Sequence, residues 1–176
     1  MFQPSLRSSR ARAALLLALA MGLSTACGSE ADDGDGNPAP PVAQRSPELD
    51  AVSLKSQRGG TSHEAGSNCM ACHGPNGTAP GRFTVAGTAV TSERKPNPDA
   101  TVTLSTSPNG AGTVVLTVEA DASGNFYTTE AVPLPERSLY PRVTSQATAS
   151  VNFMPFPTLS GACNVCHVGG NPVDLD

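Results

Sequence analysis

Two five-residue stretches carry the chemistry of this chain: Cys69-Met70-Ala71-Cys72-His73 and Cys163-Asn164-Val165-Cys166-His167. Each is a Cys-x-x-Cys-His, the attachment signature of a c-type haem. Two thiols three positions apart on one turn can each add to a vinyl group of the porphyrin. The His that follows directly then offers iron an imidazole nitrogen. The expectation is two covalent haem c groups, bound through Cys69, Cys72, Cys163 and Cys166, with His73 and His167 as proximal iron ligands. Zinc or a pair of disulfides would use the same four thiols. A zinc ribbon keeps its Cys pairs about 15–20 residues apart, whereas Cys72 and Cys163 are 91 positions apart. A thioredoxin-like site would need a strand–helix–strand context, and neither motif has one.

Counting narrows the distal ligands. Once an N-terminal signal is removed, the chain keeps three His and two Met. His73 and His167 are used as proximal ligands, and Met70 lies inside its own Cys-x-x-Cys turn. His63 and Met154 are left as candidate distal iron ligands, six residues before Cys69 and nine before Cys163. Spacing leaves open whether each serves the nearer haem or the other one. A loop position for His63 and a core position for Met154 are the plainer readings, since a thioether also packs as a soft filler.

The start of the chain reads as an export signal. Arg7, Arg10 and Arg12 precede the apolar run Ala13 to Leu23, which is too short for a membrane span of about 20 residues. Ser24-Thr25-Ala26 places small residues before Cys27. This resembles a bacterial lipoprotein signal, in which the Cys becomes the acylated N-terminus, although Ser24 stands where such signals usually carry Leu. Ordinary cleavage after Ala26 is the alternative. Export suits the haem reading, because in bacteria c-type haem is attached outside the cytoplasm.

From Gly28 to Gly60 the chain is rich in acids, Pro and Gly and poor in large apolar residues, the composition of a solvated tether. Asp32-Asp33-Gly34-Asp35-Gly36-Asn37 has no EF-hand ligand register. Without residues 1–26 the chain carries 8 basic and 15 acidic residues, near −7. Such a surface disfavours nucleic acid and suits a basic redox partner.

The roughly 115 residues that remain form one compact unit or two very small ones. Val102 and Leu104 alternate with Thr101 and Thr103, and Val114, Leu116 and Val118 alternate with Val115 and Thr117. These are period-two, β-branched strand patterns. Further strands are expected over Phe83–Val85, Phe126–Thr129 and Leu139–Thr144, the last at a sheet edge because of Pro141. Turns are signalled at Pro96-Asn97-Pro98-Asp99, Pro108-Asn109-Gly110 and Asp121 to Asn125. The fold class is mainly β, a small antiparallel sandwich.

Val85-Ala86-Gly87-Thr88, Pro98-Asp99-Ala100-Thr101-Val102-Thr103-Leu104 and Asp121-Ala122-Ser123-Gly124-Asn125-Phe126-Tyr127 together resemble the prealbumin-like domain called carboxypeptidase-regulatory, over about residues 83–145. That resemblance implies a prealbumin-like sandwich and a binding or spacer role. The two Cys-x-x-Cys-His segments resemble the multihaem c-type cytochromes at five residues each. The chain then divides into a signal peptide (1–26), a disordered tether (27–60), a first haem c segment (61–82), a prealbumin-like sandwich (83–147) and a second haem c segment (148–176). The two haem segments are expected to pack together at one end of the sandwich, with Phe153, Pro155 and Phe156 against them.

The functional expectation is an exported dihaem cytochrome that transfers single electrons, a carrier rather than an enzyme. It would be membrane-anchored through Cys27, facing the periplasm or cell surface, with redox proteins such as other cytochromes as partners. A surface binding or adhesion lipoprotein built on the sandwich is one alternative. A dihaem peroxidase-like enzyme is another, though the chain is about half the length such enzymes need.

Overall fold

The computed structural model describes residues 45–167 and 171–175. The expected signal peptide, Cys27 and the first part of the tether lie outside the described residues. Among those described, no helix is long and apolar enough to cross a membrane.

Seven strands form: β1 Val85–Thr91, β2 Ala100–Ser105, β3 Val114–Glu119, β4 Asn125–Thr128, β5 Tyr140–Ser145, β6 Val151–Phe153 and β7 Val173–Leu175. They make a small two-sheet sandwich, as expected. One sheet has the order β4-β1-β7 and the other β3-β2-β5-β6. All pairings are antiparallel except β1 with β7. The alternation that marks β2 and β3 is the reason they form. Val102 and Leu104 face Val118 and Leu116 in register, and all four are buried. Val85, Ala89, Phe126 and Leu175 of the three-stranded sheet close the core with Ala100 and Val143 of the other.

The turn Asp121 to Asn125 is built by its own side chain. Asp121 Oδ1 accepts from the Ser123 and Asn125 amides at 2.8 and 3.1 Å. Gly124 takes φ +75° between them, and a Cβ there would stand 2.5 Å from the Ala89 carbonyl oxygen.

Three expectations are corrected. First, the tether does not extend over 45–60. Ser56 is 2 % exposed, and the chain from Leu54 to Ser56 runs along β4 through Ser56 N to Tyr127 O and Thr129 N to Leu54 O, both 2.9 Å. The β4 edge away from β1 offers backbone groups that need partners, a demand that polar composition does not announce. Second, β5 is an inner strand, paired with β2 on one side and β6 on the other. Pro141 is tolerated because the β5–β6 ladder covers only Arg142 to Thr144, leaving its missing N–H just beyond the last rung. Third, the sandwich does not stop at 147. Both β6 and β7 come from the segment assigned to the second haem, so that motif is an insertion between two strands.

Candidate functional site

The two Cys-x-x-Cys-His stretches fold alike. Met70–His73 forms the single helical turn α2, and Cys163–Cys166 forms α3 (α1 is Pro47–Asp50). In both, the His amide donates to the carbonyl of the first Cys at 2.9 Å. In both, the thiol of that first Cys donates to the carbonyl two residues earlier at 3.6 Å, Ser67 O for Cys69 and Gly161 O for Cys163. One helical turn sets each pair of thiols on the same side at i and i+3. All four cysteines are free thiols.

The histidines are held alike as well. His73 Nδ1 lies 2.9 Å from Pro80 O, and His167 Nδ1 lies 3.1 Å from Asn171 O. A carbonyl oxygen only accepts, so in the neutral form of each ring the proton sits on Nδ1 and the lone pair on Nε2. A ligating imidazole is ordinarily held in this way. The His73 ring is also stacked on Phe83, with centroids 4.1 Å apart and planes 5° apart, and Phe83 in turn stacks on Tyr127 at 4.9 Å.

The first motif is fastened by distant residues. The Arg45 guanidinium, its side chain 4 % exposed, donates to the carbonyls of Gly77 and Ala79 and pairs with Asp50. It holds the loop whose Pro80 carbonyl orients His73. The second motif is fastened by β1. Ala86 N donates to Gly161 O at 2.8 Å, and Ala86 pairs with Ala162 in parallel. The same edge of β1 then meets β7 from Ala89 to Thr91. The chain along that edge is one parallel strand interrupted by the second motif. Comparison with protein-family models, curated proteins and solved structures returns no match.

Cys163 packs against the core. A Cβ at Gly87 would lie 2.8 Å from Cys163 Cβ and 2.5 Å from Phe126 Cζ, so only glycine fits there. Burial pushes the Cys163 thiol up to about 12, and the Cys69 and Cys166 thiols add to the rise. That electrostatic link to Cys69 spans 94 positions of sequence. The Cys69 thiol is raised too, first by burial and then by Cys72. These seats favour neutral sulfur, a condition a thioether meets.

The outer face of β1 joins the two segments. Thr88 Oγ1 accepts from Gly66 N at 2.8 Å and donates to Asn125 Oδ1 at 2.6 Å. Asn125 Nδ2 donates to Ser62 Oγ and His63 O, both at 2.9 Å. Asn164, inside the second motif, donates to Ser67 O at 2.8 Å and to Thr88 Oγ1 at 3.0 Å, and accepts from Thr88 N at 2.9 Å. Thr88, Asn125 and Asn164 are all buried. Sequence reasoning missed this trio, because three polar residues scattered between strands and motifs carry no pattern.

The candidate distal ligands differ. His63 is exposed, and its ring centroid lies 6.3 Å from that of His73, with planes 35° apart. Met154 follows β6, half-buried, with its amide bonded to Pro141 O at 3.2 Å. Nothing in its hydrogen bonding ties it to either motif. Phe153 lies under the Arg142 guanidinium at 5.8 Å, on the β5–β6 side, rather than against a motif. Phe156 and Leu159 are 60 % and 59 % exposed ahead of the second motif. Among the described residues, no three His, Cys, Asp or Glu side chains are gathered to hold a metal ion by themselves.

Proposed function

We propose that the protein is an exported dihaem c-type cytochrome that carries single electrons. The observation that carries this reading is the shared build of two stretches far apart in sequence. Each presents two free thiols on one turn and a His whose Nδ1 is held by a carbonyl, leaving Nε2 for iron. The residues fit the group: Cys69, Cys72 and His73 would hold one haem, and Cys163, Cys166 and His167 the other. The haems supply the one-electron couple. The chain would bind and orient them, and Phe83, stacked on His73, covers one face of that imidazole.

His63, whose ring centroid lies 6.3 Å from that of His73, would be the distal candidate for the haem that His73 would hold. His167 would then be the one imidazole left for the second haem, since His63 and His73 are used at the first. Met154 would be its thioether candidate, and a thioether raises the potential above that of two imidazoles.

The acidic surface left after signal removal suits a basic electron-transfer partner, at an encounter rate that falls with salt. Acylation of Cys27 would hold the sandwich at a membrane. The prealbumin-like resemblance of the sandwich is read as a scaffold for the two motifs.

The test is reductive titration of the purified mature protein, followed by mixing with an oxidised, basic soluble cytochrome. A reduced c-type spectrum that is re-oxidised by the partner supports the reading. Peroxide turnover without partner re-oxidation would favour the peroxidase alternative, and a colourless protein would leave the binding lipoprotein. For the anchor, Cys27→Ala should move the protein from the detergent phase to the aqueous phase. Identical partitioning would mean an ordinary signal peptide.

A further inference from the structure

The edge of β1 that faces away from β4 has a gap. Ala86 finds its partner in Gly161, and Ala89 to Thr91 find theirs in β7. Between them the chain leaves the edge to form the second motif. The Thr88 amide on that edge would lose its strand partner, a loss that buried backbone rarely tolerates. Asn164 Oδ1 takes the place of the missing rung, accepting from Thr88 N at 2.9 Å. The same carboxamide turns its Nδ2 outward to Ser67 O, two residues before Cys69, at 2.8 Å. A strand carbonyl in that position could complete the rung. It could not also donate to the first motif.

Asn164 therefore uses its acceptor on the sandwich and its donor on the other haem segment. It is 2 % exposed, so water does not compete for either group. Thr88 Oγ1 reinforces the tie, accepting from Gly66 N and from Asn164 Nδ2. A position that haem attachment leaves free is thus used to lock one attachment turn to the other.

We propose that Asn164 is a positioning residue that fixes the two motifs, and the haems they hold, relative to each other. The proposal rests on the dihaem reading. Electron exchange between two haems falls steeply with their separation, so a lock between the attachment turns governs transfer within the molecule without touching either iron.

The test uses the mature holoprotein as wild type, Asn164→Ala, Asn164→Asp, Thr88→Ser and Thr88→Val. Haem content by pyridine haemochrome comes first and bears on the dihaem reading alone. The second readout is the bisignate Soret circular-dichroism couplet that two haems give when held in a fixed mutual orientation. The third is hydrogen exchange at the Gly66 amide, which needs no haem. Wild type and Thr88→Ser should show the couplet and a protected Gly66. Asn164→Ala and Thr88→Val should keep two haems, lose the couplet and expose Gly66. Asn164→Asp keeps the acceptor for Thr88 N but has no donor for Ser67 O, so it should fold and still weaken the couplet. If Asn164→Ala does not accumulate, Asn164→Asp against Thr88→Ser carries the comparison. Two haems with an unchanged couplet in Asn164→Ala or Asn164→Asp would overturn the proposal. A wild type without haem would overturn the dihaem reading, and unchanged Gly66 exchange in the variants would then overturn the lock as well.

Discussion

The two Cys-x-x-Cys-His turns have the same local geometry and opposite supports. The first stands on loops, held by the Arg45 guanidinium from below, by Phe83 against His73, and with a second imidazole, His63, 6.3 Å away. The second is cut into the sandwich itself. Cys163 lies against Phe126 and Gly87, and the strands on either side of it belong to the two sheets. Identical five-residue patterns thus give a site dressed by side chains and a site dressed by the core. The local turn is set by the motif. Its surroundings are set by what it is inserted into.

The largest effect that would break this contrast is expected at Phe83. It is 8 % exposed and sandwiched between His73 and Tyr127. Phe83→Ala should cost about 3–5 kcal/mol and loosen the first site while leaving the second motif's contacts with β1 in place. Urea denaturation, with the spectra of the two haems followed separately, checks it. Gly87→Ala acts on the second site. Its Cβ would press on Phe126 and Cys163, an overpacking worth about 1–3 kcal/mol, and it should lower haem occupancy at Cys163 and Cys166 before that at Cys69 and Cys72. Equal loss at both sites in either variant would erase the distinction drawn between them.

Arg45→Ala sharpens the comparison from the first site's side. It strips donors from the Gly77 and Ala79 carbonyls and a partner from Asp50. Leaving such groups unmet costs about 1–3 kcal/mol. The loop carrying the Pro80 carbonyl should loosen, which deuterium exchange over 74–81 would report, with 161–167 unaffected.

The pH dependence separates the apo chain from the holoprotein. The folded-state value of Cys163 is raised to about 12 from an ordinary 9.0, chiefly by burial. Unfolded chains therefore release that proton first, and the associated stability, complete below about 9, should drain away as pH rises towards about 12. A thioether has no such proton. Chemical denaturation should show this alkaline loss in the apo chain, and haem attachment should remove the Cys163 share of it. The smallest change in stability is expected for His63→Ala. His63 is exposed and should cost within about 0.5 kcal/mol, yet its loss should turn the first haem high-spin and leave the second alone.

Legibility in the sequence followed length and repetition. β2 and β3 were readable because Thr-Val-Thr-Leu and Val-Leu-Thr-Val repeat every second residue with β-branched side chains. β6 and β7 have three residues each, too few for a period to emerge, and so the second motif looked like a tail rather than an insertion. The docking of 54–56 on β4 is driven by backbone groups, which every residue shares and composition cannot flag. The two Cys-x-x-Cys-His stretches stand out because their spacing is a fixed pattern, and each folds into one turn. Asn164 was hidden in plain view, at a position where the motif permits any residue and only the gap in the β1 edge gives it a task.

The central claim is that both turns carry covalent haem. Intact-mass spectrometry of the mature protein, made alongside c-type haem attachment machinery, addresses it directly when run with the paired variants Cys69→Ser/Cys72→Ser and Cys163→Ser/Cys166→Ser. The account predicts the added mass of two haems in the wild type and of one in each paired variant. A wild type at the mass of the bare polypeptide, with its four thiols still free to alkylate, would contradict it.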